Sequence, residues 1–158
     1  MSFSIHFTDD PVEYLDDDPS IPFAVGLIRI GEFEENIVST LYEWTKEQYE
    51  SQWRDSLTRF ANGADRAVLI TWYVNSKESS NLEWWALYRG EAGVAHLQNH
   101  IPWYSNFNNQ FDAENASNFL QERITQNEDG NSISEWNVPI GDIELFLGHL
   151  MQRADFPE

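Results

Sequence analysis

The 158-residue sequence contains no cysteine. Disulfide frameworks, thiolate catalysis and sulfur-ligated zinc are therefore excluded together, and a reducing compartment is compatible with that absence. Basic residues are also scarce. Nine Lys and Arg stand against 27 Asp and Glu, a formal net charge of −18. A field of that sign repels phosphate backbones and anionic head groups, so neither nucleic acid nor a membrane is expected as a direct partner. No apolar run approaches the ~18 residues of a membrane span. The first ten residues, Met-Ser-Phe-Ser-Ile-His-Phe-Thr-Asp-Asp, lack the basic start and apolar centre of a signal peptide. The cytoplasm is the expected location. There is no phosphate-cradling glycine loop, nucleophile elbow or Cys/His pair, so no enzyme and no cofactor are expected.

What the chain has in quantity is aromatic and acidic residues. Hydrophobic residues make up 41% and aromatics 15%, with seven Trp, which separates this sequence from disordered acidic chains. Its length suits one domain over residues 1–158, large enough for a core without metals or disulfides. Residues 9–22 combine Asp9, Asp10, Glu13, Asp16, Asp17 and Asp18 with Pro11, Pro19 and Pro22. Like-charge repulsion and fixed φ angles predict an acidic loop or arm there. Residues 23–30 and 33–42 read as two strands of a hairpin turning near residues 31–36.

Thr45 opens the clearest helix. Gln48 is placed to reciprocate the cap, Trp44 and Tyr49 have staple spacing, and Tyr49, Trp53, Leu57, Phe60 and Ala61 share a face. Asn62-Gly63 ends it. Residues 66–74 are almost continuously apolar, as in a central strand. Residues 82–89 and 94–101 complete an antiparallel meander around Gly90-Glu91-Ala92-Gly93. An aromatic and Asn-rich loop, residues 102–111, precedes a second helix capped by Asp112 with Ala116, Phe119, Leu120 and Ile124 as its stripe. Residues 132–138 predict another strand. Pro139 then starts a last helix carrying Ile140, Ile143, Leu147, Leu150 and Met151 on one side. The order β-β-α-β-β-β-α-β-α predicts an α+β fold, a mainly antiparallel curved sheet packed by about three helices.

Metal chemistry finds little support. His96 and His100 lie four apart in a predicted strand, a separation of about 13 Å that precludes joint ligation, so no metal site is expected. Asp16-Asp17-Asp18 and Asn127-Glu128-Asp129-Gly130 lack the alternating ligand spacing of a calcium loop. Adjacent carboxylates carry no diagnostic weight for acid–base catalysis in so acidic a chain. The more telling constellation is Trp103, Tyr104, Phe107 and Phe111 on one loop. An irregular segment seldom buries four aromatics of its own, and aromatics beside an acidic rim are the residue types of protein-binding hot spots. Some of the four are expected to plug the sheet and helix junction.

Several runs together resemble one known family: Tyr42-Glu-Trp-Thr-Lys-Glu-Gln-Tyr-Glu-Ser-Gln-Trp-Arg-Asp-Ser-Leu57, Trp84-Trp85-Ala86-Leu87-Tyr88, His96-Leu97-Gln98-Asn99, Phe119-Leu120-Gln-Glu-Arg123 and Asp129-Gly130-Asn-Ser-Ile-Ser-Glu-Trp136. In that order they are similar to the immunity proteins of contact-dependent growth inhibition systems, in the branch related to the Enterobacter type, over about residues 41–150. The resemblance implies a fold like the single-strand-binding Whirly fold but a function in protein binding. It implies a cytoplasmic antidote to the C-terminal toxin domain delivered by neighbouring bacteria, in a family whose toxins include ribosomal-RNA-cleaving nucleases.

The expected partner is thus a basic, ribonuclease-type toxin domain, bound by a monomer rather than a dimer. An acidic protein can cover the surface that such an enzyme needs to hold RNA. Expected contacts are the carboxylates Asp16, Asp17, Asp18, Glu32, Glu34 and Glu35, or alternatively Glu128, Asp129 and Glu135, with Trp103, Tyr104 and Phe107 as anchors. Trp53, Trp84, Trp85 and Trp136 are expected in the core. The competing reading is an acidic secretion chaperone, which would dimerise and capture extended segments.

Overall fold

The computed structural model describes residues 2–14, 16–17, 20–108 and 110–155. Its element order is β1 (Phe3–Phe7), β2 (Glu13–Tyr14), β3 (Pro22–Ile30), β4 (Phe33–Thr40), α1 (Lys46–Ala61), β5 (Arg66–Trp72), β6 (Glu83–Arg89), β7 (Val94–His100), β8 (Trp136–Pro139) and α2 (Ile140–Asp155). The architecture is α+β, and all strand pairings are antiparallel. Instead of one curved sheet there are two four-stranded ones. The first has β3 at its centre, with β1 and β2 along one edge and β4 along the other; the second runs β5-β6-β7-β8.

Alternation builds the first sheet. Ala24, Gly26, Ile28 and Ile30 of β3 are buried, while the residues between them are partly or fully exposed. Phe3 and Ile5 of β1 join the buried set, and Phe3 meets Phe146 of α2 edge-on at 5.6 Å. The expected hairpin is present, but it turns at Gly31-Glu32, with Gly31 at φ 64°, so Glu34 and Glu35 belong to β4 and not to the turn. The inner faces of the two sheets meet through aromatic rings: Phe33 stacks on Trp136 at 4.2 Å, and Trp136 lies 5.4 Å from Trp85.

Helix α1 begins as its sequence requires. The Thr45 side chain accepts from the Gln48 N–H, and the Gln48 side chain accepts from the Thr45 N–H. Its buried face, Tyr49, Trp53, Leu57 and Phe60, covers the outer strand β5. Trp53, Trp84 and Trp85 are core residues as expected, and Trp136 is half-buried against the same core.

Three expectations change. β5, expected as a central strand, is the outer strand of its sheet. The second helix is a seven-residue 3-10 stretch, Ala113–Phe119, broken by a non-helical Asn115. Ile124 consequently falls beyond it and is exposed instead of completing an apolar stripe. The strand expected from residue 132 begins only at Trp136. No described helix is long and apolar enough to cross a membrane.

Candidate protein-docking surface

The outer face of the second sheet carries Trp84, Ala86 and Tyr88 of β6 beside His100, Gln98 and His96 of β7. The irregular segment after β7 covers part of it with its own rings. Phe107 lies 5.9 Å and Phe111 6.3 Å from Trp84, and Phe119 closes the group at 5.5 Å from Phe107 and 5.1 Å from Phe111. Backbone bonds tie the segment down: Leu82 N–H donates to Pro102 O, and Tyr104 N–H donates to Ser80 O. An irregular chain holds such a position only if its apolar groups are buried and its amides are satisfied.

This corrects the expected anchors. Tyr104 is buried at 3% exposure, with its hydroxyl donating to Val74 O, and burial pushes its pKa up; it is unavailable to a partner. Phe107 is half-buried in the aromatic group. Of the three, Trp103 alone is widely exposed, at 53%.

Beneath these rings runs a chain of polar contacts. Trp84 Nε1–H donates to His100 Nδ1 at 3.2 Å, which places the histidine proton on Nε2, facing Gln98 Oε1 at 2.9 Å. Gln98 is fully buried and donates to both Ile124 O and Glu135 Oε2. Arg123 grips the same carboxylate through Nε and its terminal nitrogen. The Arg123 contact, helped by Gln98 and His96 against the cost of burial, holds the Glu135 carboxyl below its usual range. Burial lowers the pKa of His100.

This clasp fixes the base of a finger, residues 121–134, of which 121–132 are all exposed. Gln126 and Ser132 bridge across it, Asn127 N–H donates to Asn131 O, and Gly130 turns the tip at φ 81°. The expected cluster therefore divides. Glu128 and Asp129 stand exposed at the tip, whereas Glu135 is committed to Arg123 and Gln98 at the base. No sequence period announces this finger; its only local signal is the Asn-Glu-Asp-Gly turn.

The other acidic set divides as well. β2 pairs with Pro22 and Phe23, so Asp16 and Asp17 lie toward that end of β3. Glu32 sits in the turn at the opposite end, about 26 Å away along eight strand residues. Asp18 lies outside the described residues. Asp16, Asp17 and Glu32 are exposed, Glu34 is paired with Arg29, and Glu35 adds its charge to the burial that raises the Glu83 pKa.

Cations do little to offset this negative surface. Arg66 donates to Leu120 O, Arg89 to Ala64 O while covering the Phe60 ring, and Arg123 and Arg29 are held by Glu135 and Glu34. Among the described residues, these four arginines and Lys46, which lies over the Phe7 ring, make contacts within the fold. Among the described residues, no group of three or more His, Asp or Glu is arranged to hold a metal ion.

Comparison with known proteins agrees with the motif order. A family model described as the CdiI N-terminal domain matches residues 39–146. The immunity protein CdiI of Enterobacter cloacae is 25% identical over 123 residues, which span 78% of this chain and 83% of that protein. A chain of the CdiA-CT/CdiI toxin and immunity complex from Enterobacter cloacae shares the fold, with a TM-score of 0.84 at 21% identity, covering 95% of this chain and 99% of that one. The matched span contains the runs from Tyr42 to Trp136, including the capped helix α1 and the Trp-bearing strands β5, β6 and β8, and the chain belongs to the CdiI family.

Proposed function

We propose that this protein binds and neutralises the C-terminal toxin domain of a contact-dependent growth inhibition system, by occlusion and without catalysis of its own. The observation that carries this reading is the combination of membership in the CdiI family with a charge of −18. A nuclease must present a basic surface to its substrate, and an acidic cover competes for that surface both electrostatically and sterically. The partner is accordingly a basic nuclease domain, and the place of action is the cytoplasm, where its RNA substrate lies. Self-repulsion of the acidic chain favours a monomer.

Three separate acidic regions carry the expected contacts: Asp16 with Asp17; Glu32 of the turn with Glu34 and Glu35 on the two faces of β4, Glu34 being paired with Arg29; and Glu128 with Asp129. The experiment is co-expression with the toxin domain encoded immediately upstream. Growth is restored by the wild-type chain, and charge reversal in the contacting patch removes that protection. If cells expressing soluble wild-type chain remain poisoned by that domain, the reading is wrong.

A further inference from the structure

Between the aromatic group and the base of the finger lies a groove of about 320 Å³, floored by Trp84, Phe107 and Phe119. Its lips are Ile101 and Ile124, which are 58% and 57% exposed. Burying an isoleucine is favourable, so two such side chains left facing water beside an aromatic floor mark an interaction surface rather than a scattered exposure.

The polar groups in the floor are already satisfied. Trp84 Nε1 and both ring nitrogens of His100 are paired, and the Tyr88 hydroxyl donates to Gln121 O at 3.2 Å. Each of these groups already has its partner, which fits an apolar occupant, although the exposed Asn106 and Gln121 also line the groove. No Lys or Arg lines the groove, and Glu122 stands exposed on its edge, with Glu128 and Asp129 beyond at the fingertip. A second copy would bring a charge of −18 against an equal charge, so complementarity selects a basic partner.

We propose that this groove receives an apolar side chain projecting from the basic face of the toxin domain, with Ile101 and Ile124 closing over it and Glu122, Glu128 and Asp129 meeting the surrounding cations. This rests on the functional reading above and deepens it. An apolar anchor within a polar rim is the arrangement that concentrates binding energy in few residues.

The test is titration of the upstream-encoded toxin domain with the wild-type chain, Ile101→Ser, Ile124→Ser and the double variant, with Leu145→Ser of α2 as an equally exposed control. Thermal melts establish that each variant is folded, and sedimentation gives its mass. Each groove variant weakens binding about 10- to 100-fold, by a factor independent of salt, while Leu145→Ser does not. Reversal of Glu122, Glu128 and Asp129 instead slows association and flattens its salt dependence. Wild-type binding with unchanged affinity in the groove variants, or an equal loss in Leu145→Ser, overturns the groove alone. A wild-type dimer dissociated by the groove substitutions also overturns it, by identifying a second copy as the occupant. Absence of wild-type binding overturns both the groove and the functional reading.

Discussion

At position 26 the first sheet leaves no room for a side chain. A Cβ on Gly26 would lie 2.7 Å from His6 O and 2.8 Å from the Ile37 side chain, because β1 and β4 close on β3 from both sides at that point. Gly26→Ala is expected to cost about 1–3 kcal/mol, read as a lower urea midpoint with an unchanged slope, since the neighbouring strands must move to admit one methyl group. His100 makes a second prediction. Its folded-state pKa lies below the ordinary 6.5, so as pH falls through 6.5 the unfolded chain takes up a proton that the folded chain refuses. Stability from this group is full above that pH and is lost as pH falls toward the depressed folded value. Denaturation midpoints measured across that window should fall for the wild type, and the fall should shrink in His100→Gln. Equal slopes would separate His100 from the effect.

Among the elements, β5 shows how this fold protects an open sheet edge. Gln52 of α1 donates to Val68 O and accepts from Ile70 N–H, Trp53 donates to Ile70 O at 2.7 Å, and the Ser117 hydroxyl accepts from Val68 N–H. Side chains therefore occupy the positions that a further strand would take. Gln52→Ala is expected to lower stability by about 1–3 kcal/mol and to promote association of partly unfolded chains, read by denaturation and light scattering. The finger makes a parallel prediction. Glu135→Gln weakens the Arg123 clasp, so amide hydrogens across residues 122–134 should exchange faster while those of α1 are unchanged.

Legibility in the sequence also differed by element. The capping box of α1 and the hairpin of β3 and β4 are local patterns, and both were readable. The apolar positions Ala116 and Leu120 are buried as a helical stripe predicts, yet the stretch up to Phe119 is 3-10, because packing against β5 and a break at Asn115 override the local period. β1 is not legible although Phe3, Ile5 and Phe7 alternate; five residues beside an acidic stretch give too short a signal to stand without the pairing to β3 that stabilises them. The intramolecular bonds of Tyr104 and Glu135 are not legible in the sequence, because composition does not reveal that Val74, Arg123 and Gln98 meet them across the fold.

Across the whole molecule, net charge and family membership carry the functional account, while the length of β3 decides which charges of the first sheet can act together. Asp16 and Asp17 were expected with Glu32, Glu34 and Glu35 as one patch, but β3 holds them at opposite ends. That separation comes from long-range pairing and has no local sequence signal. It makes the three acidic patches independently testable, because residues so far apart have nearly additive effects. The most direct measurement is stopped-flow association of the wild-type chain with its cognate toxin domain, at about 50 mM and about 500 mM salt. The account predicts a tight one-to-one complex whose association rate falls about tenfold or more at the higher salt, with the domain inactive once bound. No complex, or one formed at the same rate in both salts, would contradict it.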